Sequence, residues 1–325
     1  MKRSSLLISG AITLAAMAAC QSDSVNDTGP VGQSAFLHYV AIGTSLSMGV
    51  QSDGVIYTGQ REVWTALLAH QAFATYTLPL IQGPGCFSPL ISPLQFGRRL
   101  SGAAAPGTIA SDTTCALFPN ITLPTQDVAI DGANAYDALR ITPESTKVES
   151  LKRRRQYPIV LPPGKTQVTA AMMQNPTLVS VELGANEILG AATSGLMLPA
   201  AAYRTAFSYV PFAVFQPVYS AVLDSVAKTN AKALLVGVPN ATATISLRTG
   251  DAIWQNRAEL LGFGVVVNAD CNGSANLIFV PLKIGTAVAT ARATGTAFAL
   301  SCADVPGTQD NVLTPADVAT LTSVV

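Results

Sequence analysis

Histidine is almost missing from this 325-residue sequence: there are two, His38 and His70, and none follows residue 70. Charge is scarce too. Asp, Glu, Lys and Arg make up 12% of the chain, and the 19 basic residues are matched by 19 acidic ones. A neutral balance gives no electrostatic hold on nucleic acid, whose binding rests on an excess of Lys and Arg set against phosphates. There is no Cys-x-x-Cys pair and no His-rich spacing, so the usual ligand pattern of a metal site is missing; neither a metal nor an organic cofactor is expected. No internal repeat is found. Yet 49% of the residues are hydrophobic, which excludes a disordered chain. The length is ample for a buried core in one large α/β domain or two small ones.

What is present begins with an export signal. Lys2 and Arg3 form a positive start, Leu6–Met17 an apolar stretch, and Ala18-Ala19 a small-residue site before Cys20. The apolar stretch is shorter than the roughly 20 residues that a membrane-spanning helix needs. Residues 1–19 read as a lipoprotein-type signal peptide with Cys20 as the lipidated first residue. Met17 stands where a bacterial lipobox more usually has leucine, and an ordinary cleaved signal peptide is the alternative. Residues 20–34 are polar with Gly and Pro and read as a flexible tether. Gln21, in place of Asp, points to the outer membrane of a Gram-negative bacterium, on its periplasmic or cell-surface face. Cys86, Cys115, Cys271 and Cys302 remain. In an oxidising compartment an even number suggests two disulfides. Of the three pairings, Cys86–Cys115 and Cys271–Cys302 are favoured because each brackets one loop-rich stretch; free cysteines are the alternative.

Residues 35–325 read as one α/β domain. Strands are expected over 36–42, 126–131, 178–183 and 233–238, each apolar enough to be buried in a parallel sheet. Helices are expected over 62–74, 166–173 and most of 203–228, the last interrupted by Pro211 and Pro217. Residues 79–125, rich in Pro, Gly, Ser and Thr, read as a disulfide-tied insertion. The basic run Lys152–Arg155 reads as a solvated face, and the segment after Leu183 as a polar loop. Thr314 and Pro315 supply an N-cap and a first-turn proline for a helix with Val318, Leu321, Val324 and Val325 on one face. A chain stopping on such a face is expected to be truncated. Strands alternating with helices imply a doubly wound parallel sheet.

Three strand ends carry candidate chemistry. In YVAIGTSLSMG (39–49) a strand runs through Gly43 into a small-residue turn at Ser45; such a turn can hold a serine exposed at the carboxyl edge of the sheet as a nucleophile. In VELGANEILG (181–190) the strand ends at Gly184 and Asn186, whose side-chain amide can donate to an oxyanion or cap a helix. In VAIDGANAYDAL (128–139) Gly132 offers a backbone N–H or simply a tight turn.

In order and spacing these segments resemble the first blocks of the SGNH/GDSL hydrolases. GTSLSMG is similar to the GDSLS block, DVAIDGA to the block with the donating glycine, and GANE to the GxND block. SDGVIYTGQREVWTALLAHQ, PLIQGPGC, VLPPGKTQ, NEILGAATSG and NVLTPADVATL resemble one bacterial lipoprotein branch, so that the likeness spans most of 36–325. The resemblance implies a three-layer α/β/α sandwich with a flavodoxin-like sheet in the order 2-1-3-4-5. It also implies a serine ester hydrolase working through an acyl-enzyme. Ser45 would be the nucleophile, and the oxyanion would be held by the Ser45 and Gly132 N–H groups and the Asn186 side chain.

Thr44 replaces the aspartate of the GDS triplet and Glu187 that of GxND; both read as tuning. The family's C-terminal DxxH, source of the general-base histidine and its aspartate, has no counterpart here. The domain is therefore expected to be incomplete, with its last strand and helix missing, and this chain to be inactive or weakly active. His38, seven residues before Ser45 on a strand rising about 3.3 Å per residue, and His70, inside the next helix, are expected to be structural. The expected partners are a small-molecule, lipid or glycan ester and, through Cys20, a membrane; a monomer is expected. The alternative is a non-catalytic surface lipoprotein of the same fold that binds lipid or glycan.

Overall fold

The computed structural model describes residues 34–92, 98–102, 115–200, 208–238, 240, 244 and 246–324. The signal peptide, Cys20, the tether up to residue 33, and Val325 lie outside the described residues.

The chain folds as a mixed α/β protein with small parallel and antiparallel sheets. Its central sheet is parallel, and β1 (Tyr39–Ile42) is its first strand. After Ser45 the chain forms a two-stranded antiparallel ribbon of β2 (Val50–Gln51) and β3 (Gly54–Val55). On the central sheet β1 pairs with β4 (Leu178–Val181), and β4 with β5 (Lys232–Leu235), both in parallel. Every residue of β1 and β4 is buried, as strands covered on both faces must be. The one polar side chain of β4, Ser180, shares a 2.9 Å hydrogen bond with the Tyr39 hydroxyl.

The expected second strand is present only as a companion to β1. Asp127 forms a parallel bridge to Ala41. Three hydrogen bonds, from the Ala41 N–H to Gln126 and from the Val128 and Ile130 N–H groups to Ala41 and Gly43, run along 126–130. In chain order this gives 2-1-3-4 across the sheet, the start of the expected sequence of strands.

Four expectations need correction. β5 pairs as foreseen but all four of its residues are exposed, with Leu235 at 51%. It is the sheet's edge among the described residues, and burial on its outer side would need a further neighbour. The segment after Leu183 is not a polar loop but the helix Ala185–Ser194, entered through Gly184 at φ 121° and closed by Gly195 in the left-handed region. The long helix starts at Phe212, with Pro211 as its N-cap, and carries Pro217 without breaking before Ala227; the expected start at 203 lies outside the described residues. Helix Trp64–Gln71 is shorter than expected, and Leu67 is half exposed. Helix Gln167–Met172, capped by Thr166, follows expectation.

The remainder is built on β6 (Leu247–Thr249), β7 (Val265–Val267), β8 (Leu277–Phe279), β9 (Phe298–Leu300) and β10 (Val312–Leu313). These form an antiparallel sheet, β10-β8-β6, and a parallel pair, β7-β9. Helix Pro315–Thr322 is capped by Thr314 in a capping box with Asp317. Its Leu321, with Val324 beyond it, is buried in one apolar cluster with Ile188, Ala191 and Ala192 of helix Ala185–Ser194, so its apolar face is covered. No helix among the described residues is long and apolar enough to cross a membrane. Both expected disulfides form, Cys86–Cys115 and Cys271–Cys302, which suits an oxidising, exported compartment.

A buried carboxyl group crosses the core beside β1. Asp127 is 1% exposed and accepts from the Thr65 hydroxyl (2.9 Å), the Tyr76 hydroxyl (3.1 Å) and the Ala129 N–H (2.9 Å). Burial pushes its pKa up to about 7 despite these donors. A raised carboxyl favours the folded state while protonated, so its stabilisation is present near pH 4 and is lost as pH rises through about 7. Asp127→Asn is therefore expected to flatten the pH dependence of stability. Between pH 4.5 and 8 the urea midpoint should fall more steeply in the native protein than in the variant, and equal slopes would refute the assignment.

Candidate functional site

The three sequence-predicted strand ends meet at the carboxyl edge of the central sheet. Gly43 ends β1, and a Cβ there would collide with the Ser47 hydroxyl, so only glycine allows the chain to turn into the one-turn helix Ser45–Met48. The Gly43 carbonyl is held by the Ile130 N–H (3.1 Å) and by Gln167 Nε2 (2.8 Å), which also reaches the Val128 carbonyl (2.9 Å). One side-chain amide thus ties the ends of two adjacent strands.

A carboxylate from the neighbouring strand holds the Ser45 turn. Glu182, directly after β4 and 4% exposed, accepts from the Thr44 N–H (2.8 Å), from the Thr44 hydroxyl (2.8 and 2.9 Å to its two oxygens) and from the Ser47 hydroxyl (3.0 Å). Thr44 and Ser47 are both buried and both committed to this acid. Ser45 between them is partly exposed. Among the described residues neither its hydroxyl nor its N–H has a hydrogen-bond partner.

The Gly132 turn and Asn186 are stitched together by adjacent residues. Asn186 donates one amide hydrogen to the Ala133 carbonyl (2.7 Å). Glu187 accepts the Ala135 N–H (2.7 Å) at the start of helix Ala135–Arg140, where negative charge is favoured. The first bond fixes the Asn186 side chain and leaves its second amide hydrogen available. Gly132 sits at φ 73° with open space where a Cβ would be, so glycine is required there by conformation, not by crowding. Its N–H has no acceptor among the described residues. Glu187 is fully buried, its Oε2 has no partner, and burial, with Asp137 and Glu182 nearby, pushes its pKa up to about 7.

Two clefts open here. One, of about 450 Å³, is lined by Ser45 and Asn186 and walled mainly by apolar groups, including Leu46, Ile188, Leu247 and Phe279. The second, of about 560 Å³, is lined by Gly132 and Asn186 and by the polar side chains of Asn134, Asp137, Glu149 and Arg153. Asn186, Leu189 and Thr193 belong to both. Ser45 therefore shares a cleft with Asn186, and Gly132 shares the adjoining one with it; Ser45 and Gly132 do not line the same cleft.

Arg153 corrects the expectation of a solvated basic face. Helix Leu151–Val160 turns Arg153 inward, where it clasps Asp137 with two bonds (2.9 and 2.7 Å) and pairs with Glu149. Lys152 pairs with Asp131, while Arg154 is exposed as expected. His38 is exposed at the opposite end of β1, its N–H bound to the Thr177 hydroxyl. His70 is exposed on helix Trp64–Gln71. Neither lines the clefts at Ser45.

Glu182 is the residue that sequence reasoning passed over. Its signal was an acid in the largely apolar, strand-forming run TLVSVEL, where a carboxylate is stable only if donors await it. Comparison of the chain with family models, with curated proteins and with solved structures gave no match.

Proposed function

We propose that this protein is an exported serine ester hydrolase of the SGNH type, with a three-layer α/β/α domain anchored through a lipidated Cys20. The observation that carries the reading is Ser45: a hydroxyl without a partner among the described residues, between two buried hydroxyls that have one, lining a cleft it shares with a pre-positioned Asn186 amide. The resemblance in motif order and the strand order 2-1-3-4 support it.

In this reading the Ser45 Oγ attacks the ester carbonyl carbon and its proton passes to a base. The oxyanion is met by the free hydrogen of Asn186 and by the Ser45 and Gly132 N–H groups. The bond to the alcohol breaks, the alcohol leaves with a proton, and water then releases the acid from Ser45. His38 and His70 are not the base, and the imidazole that the resemblance assigns to a DxxH motif is not among these residues.

That same observation favours a second reading, a non-catalytic lipoprotein of this fold that binds lipid or glycan in the two clefts. Hydrolysis of p-nitrophenyl butyrate, with fluorophosphonate labelling, separates the two when run on this chain and on one lengthened through its reading frame. Labelling at Ser45 supports the hydrolase; a folded, lengthened chain that neither hydrolyses nor labels supports the binder. Asn186→Ala is expected to lower kcat by about 10²–10³ without a matching rise in KM, the loss typical of one oxyanion donor. A change confined to KM would remove Asn186 from that role.

A further inference from the structure

The parallel strands of the central sheet all begin at one edge, the end opposite Ser45. Neighbours there are tied by backbone bonds, from the Thr177 N–H to the His38 carbonyl and from the Lys232 N–H to the Thr177 carbonyl, each 3.0 Å. Gln126 Nε2 reaches the Tyr39 and Thr75 carbonyls (2.9 and 3.1 Å), and Gln174 Nε2 the Thr125 carbonyl (3.0 Å). These bonds bring the ends of helices Trp64–Gln71 and Gln167–Met172 to the same edge. Helix Phe212–Ala227 ends there too, since Lys232 follows it by five residues.

Three large apolar side chains of this edge stand in water. Leu37 is 67% exposed, Phe73 87% and Met173 50%. Nothing within the fold accounts for Phe73. It lies just past the helix Trp64–Gln71 at φ 53°, in the left-handed region where glycine or asparagine is the ordinary choice, and its ring gains almost no burial in return. Lys228 and Lys232 are exposed on the same edge. The stretches that build it, 34–38, 70–77, 124–126, 173–177 and 228–232, contain no Asp or Glu. Of the acids that adjoin them, Asp127 is buried, and Asp224 lies one turn back along its helix from Lys228. Apolar groups beside ammonium groups match the interface of an anionic bilayer, with the first in the acyl layer and the second at the phosphates.

The chain also enters the domain here. The Thr177 hydroxyl donates to the Ala35 carbonyl (2.8 Å), which fixes residue 35 at this edge. A coil over residues 21–33 spans about 20 Å, so a lipid on Cys20 is within reach.

We infer that this edge is a membrane-docking surface, with Leu37, Phe73 and Met173 entering the acyl layer of an anionic bilayer while Lys228 and Lys232 meet its phosphates. Ser45 and its clefts, at the other end of the strands, then face away from the bilayer. The exposed side chains carry the surface; that a lipid on Cys20 holds the bilayer beside it rests on the proposed anchor.

Tryptophan quenching by brominated acyl chains tests this. The exported, processed protein is placed on vesicles of phosphatidylethanolamine and phosphatidylglycerol with brominated chains, and the native Trp64 and Trp254 give the background. Phe73→Trp should add quenching, and Leu46→Trp, at the opposite edge, should add none. In the Phe73→Trp protein, Lys228→Gln and Lys232→Gln should each lower the ratio of docked to free protein about fivefold, as one ammonium near an anionic surface requires.

No added quenching at position 73, or equal quenching at position 46, would overturn the inference. So would cross-linking between copies through residue 73, which would give the edge to a second copy of this chain. The mass of the Cys20 peptide tests the anchor by itself. Quenching at 73 without a lipid on Cys20 leaves the surface and removes the anchor; a lipid on Cys20 without that quenching does the reverse.

Discussion

Ser45→Ala is expected to lower kcat for ester hydrolysis by about 10⁶-fold in the protein that carries its base, down to the rate left by binding and the oxyanion donors alone. The size follows from the lack of a substitute. Thr44 and Ser47 also bear hydroxyls in the same turn, but both are buried and both donate to Glu182. Neither can approach an ester without leaving that carboxylate in the core with fewer donors, at a cost of several kcal/mol. The measurement is p-nitrophenyl butyrate turnover, with circular dichroism to show that the variant is folded. An unchanged rate would remove Ser45 from the mechanism and the hydrolase reading with it.

Removing the Cys271–Cys302 bridge by Cys271→Ala with Cys302→Ala is expected to cost about 3–4 kcal/mol of stability. The bonded cysteines are 31 residues apart, and closing a loop of that length removes chain entropy worth about that much from the unfolded state. Both cysteines are also fully buried in an apolar cluster with Val265, Ile278 and Leu300, so the lost sulfurs add a packing cost. Urea unfolding of the oxidised protein and the double variant gives the difference. A loss below about 1 kcal/mol would mean that the unfolded chain is already held compact there.

Much of this architecture was legible because it depends on neighbours in sequence. YVAI and, apart from Ser180, LVSV are apolar along both faces, as a strand covered on both faces should be, and they form the paired strands β1 and β4. Thr314-Pro315 announced a helix start from its own local chemistry. The disulfides could be paired because each bracketed one loop-rich stretch.

What escaped depended on partners far along the chain. The helix Ala185–Ser194 begins at a glycine and is rich in small residues, a composition that reads as loop until packing against Leu313 and Leu321 is known. The exposure of β5 depends on whether a neighbour lies beyond it, which ALLV cannot encode. Arg153 looked like one cation in a basic run, and its partner Asp137 lies 16 residues away on another helix. At the candidate site, Ser45, Gly132 and Asn186 could be named, but not the division of their surroundings into an apolar and a polar cleft, because those walls come from stretches far apart in the chain.

The Glu182 anchor changes how the motif around Ser45 should be searched for. The resemblance looks for an acid immediately before the serine, and here that place holds a threonine. In this chain the carboxylate that faces the turn comes from the next strand, 138 positions along the chain. An aspartate at 44 would confront Glu182 with a second carboxylate in a buried space. The two positions therefore work as one unit, a hydroxyl facing a carboxylate across two strands. A reading of position 44 alone misses the acid that faces this turn, which only the fold brings beside it.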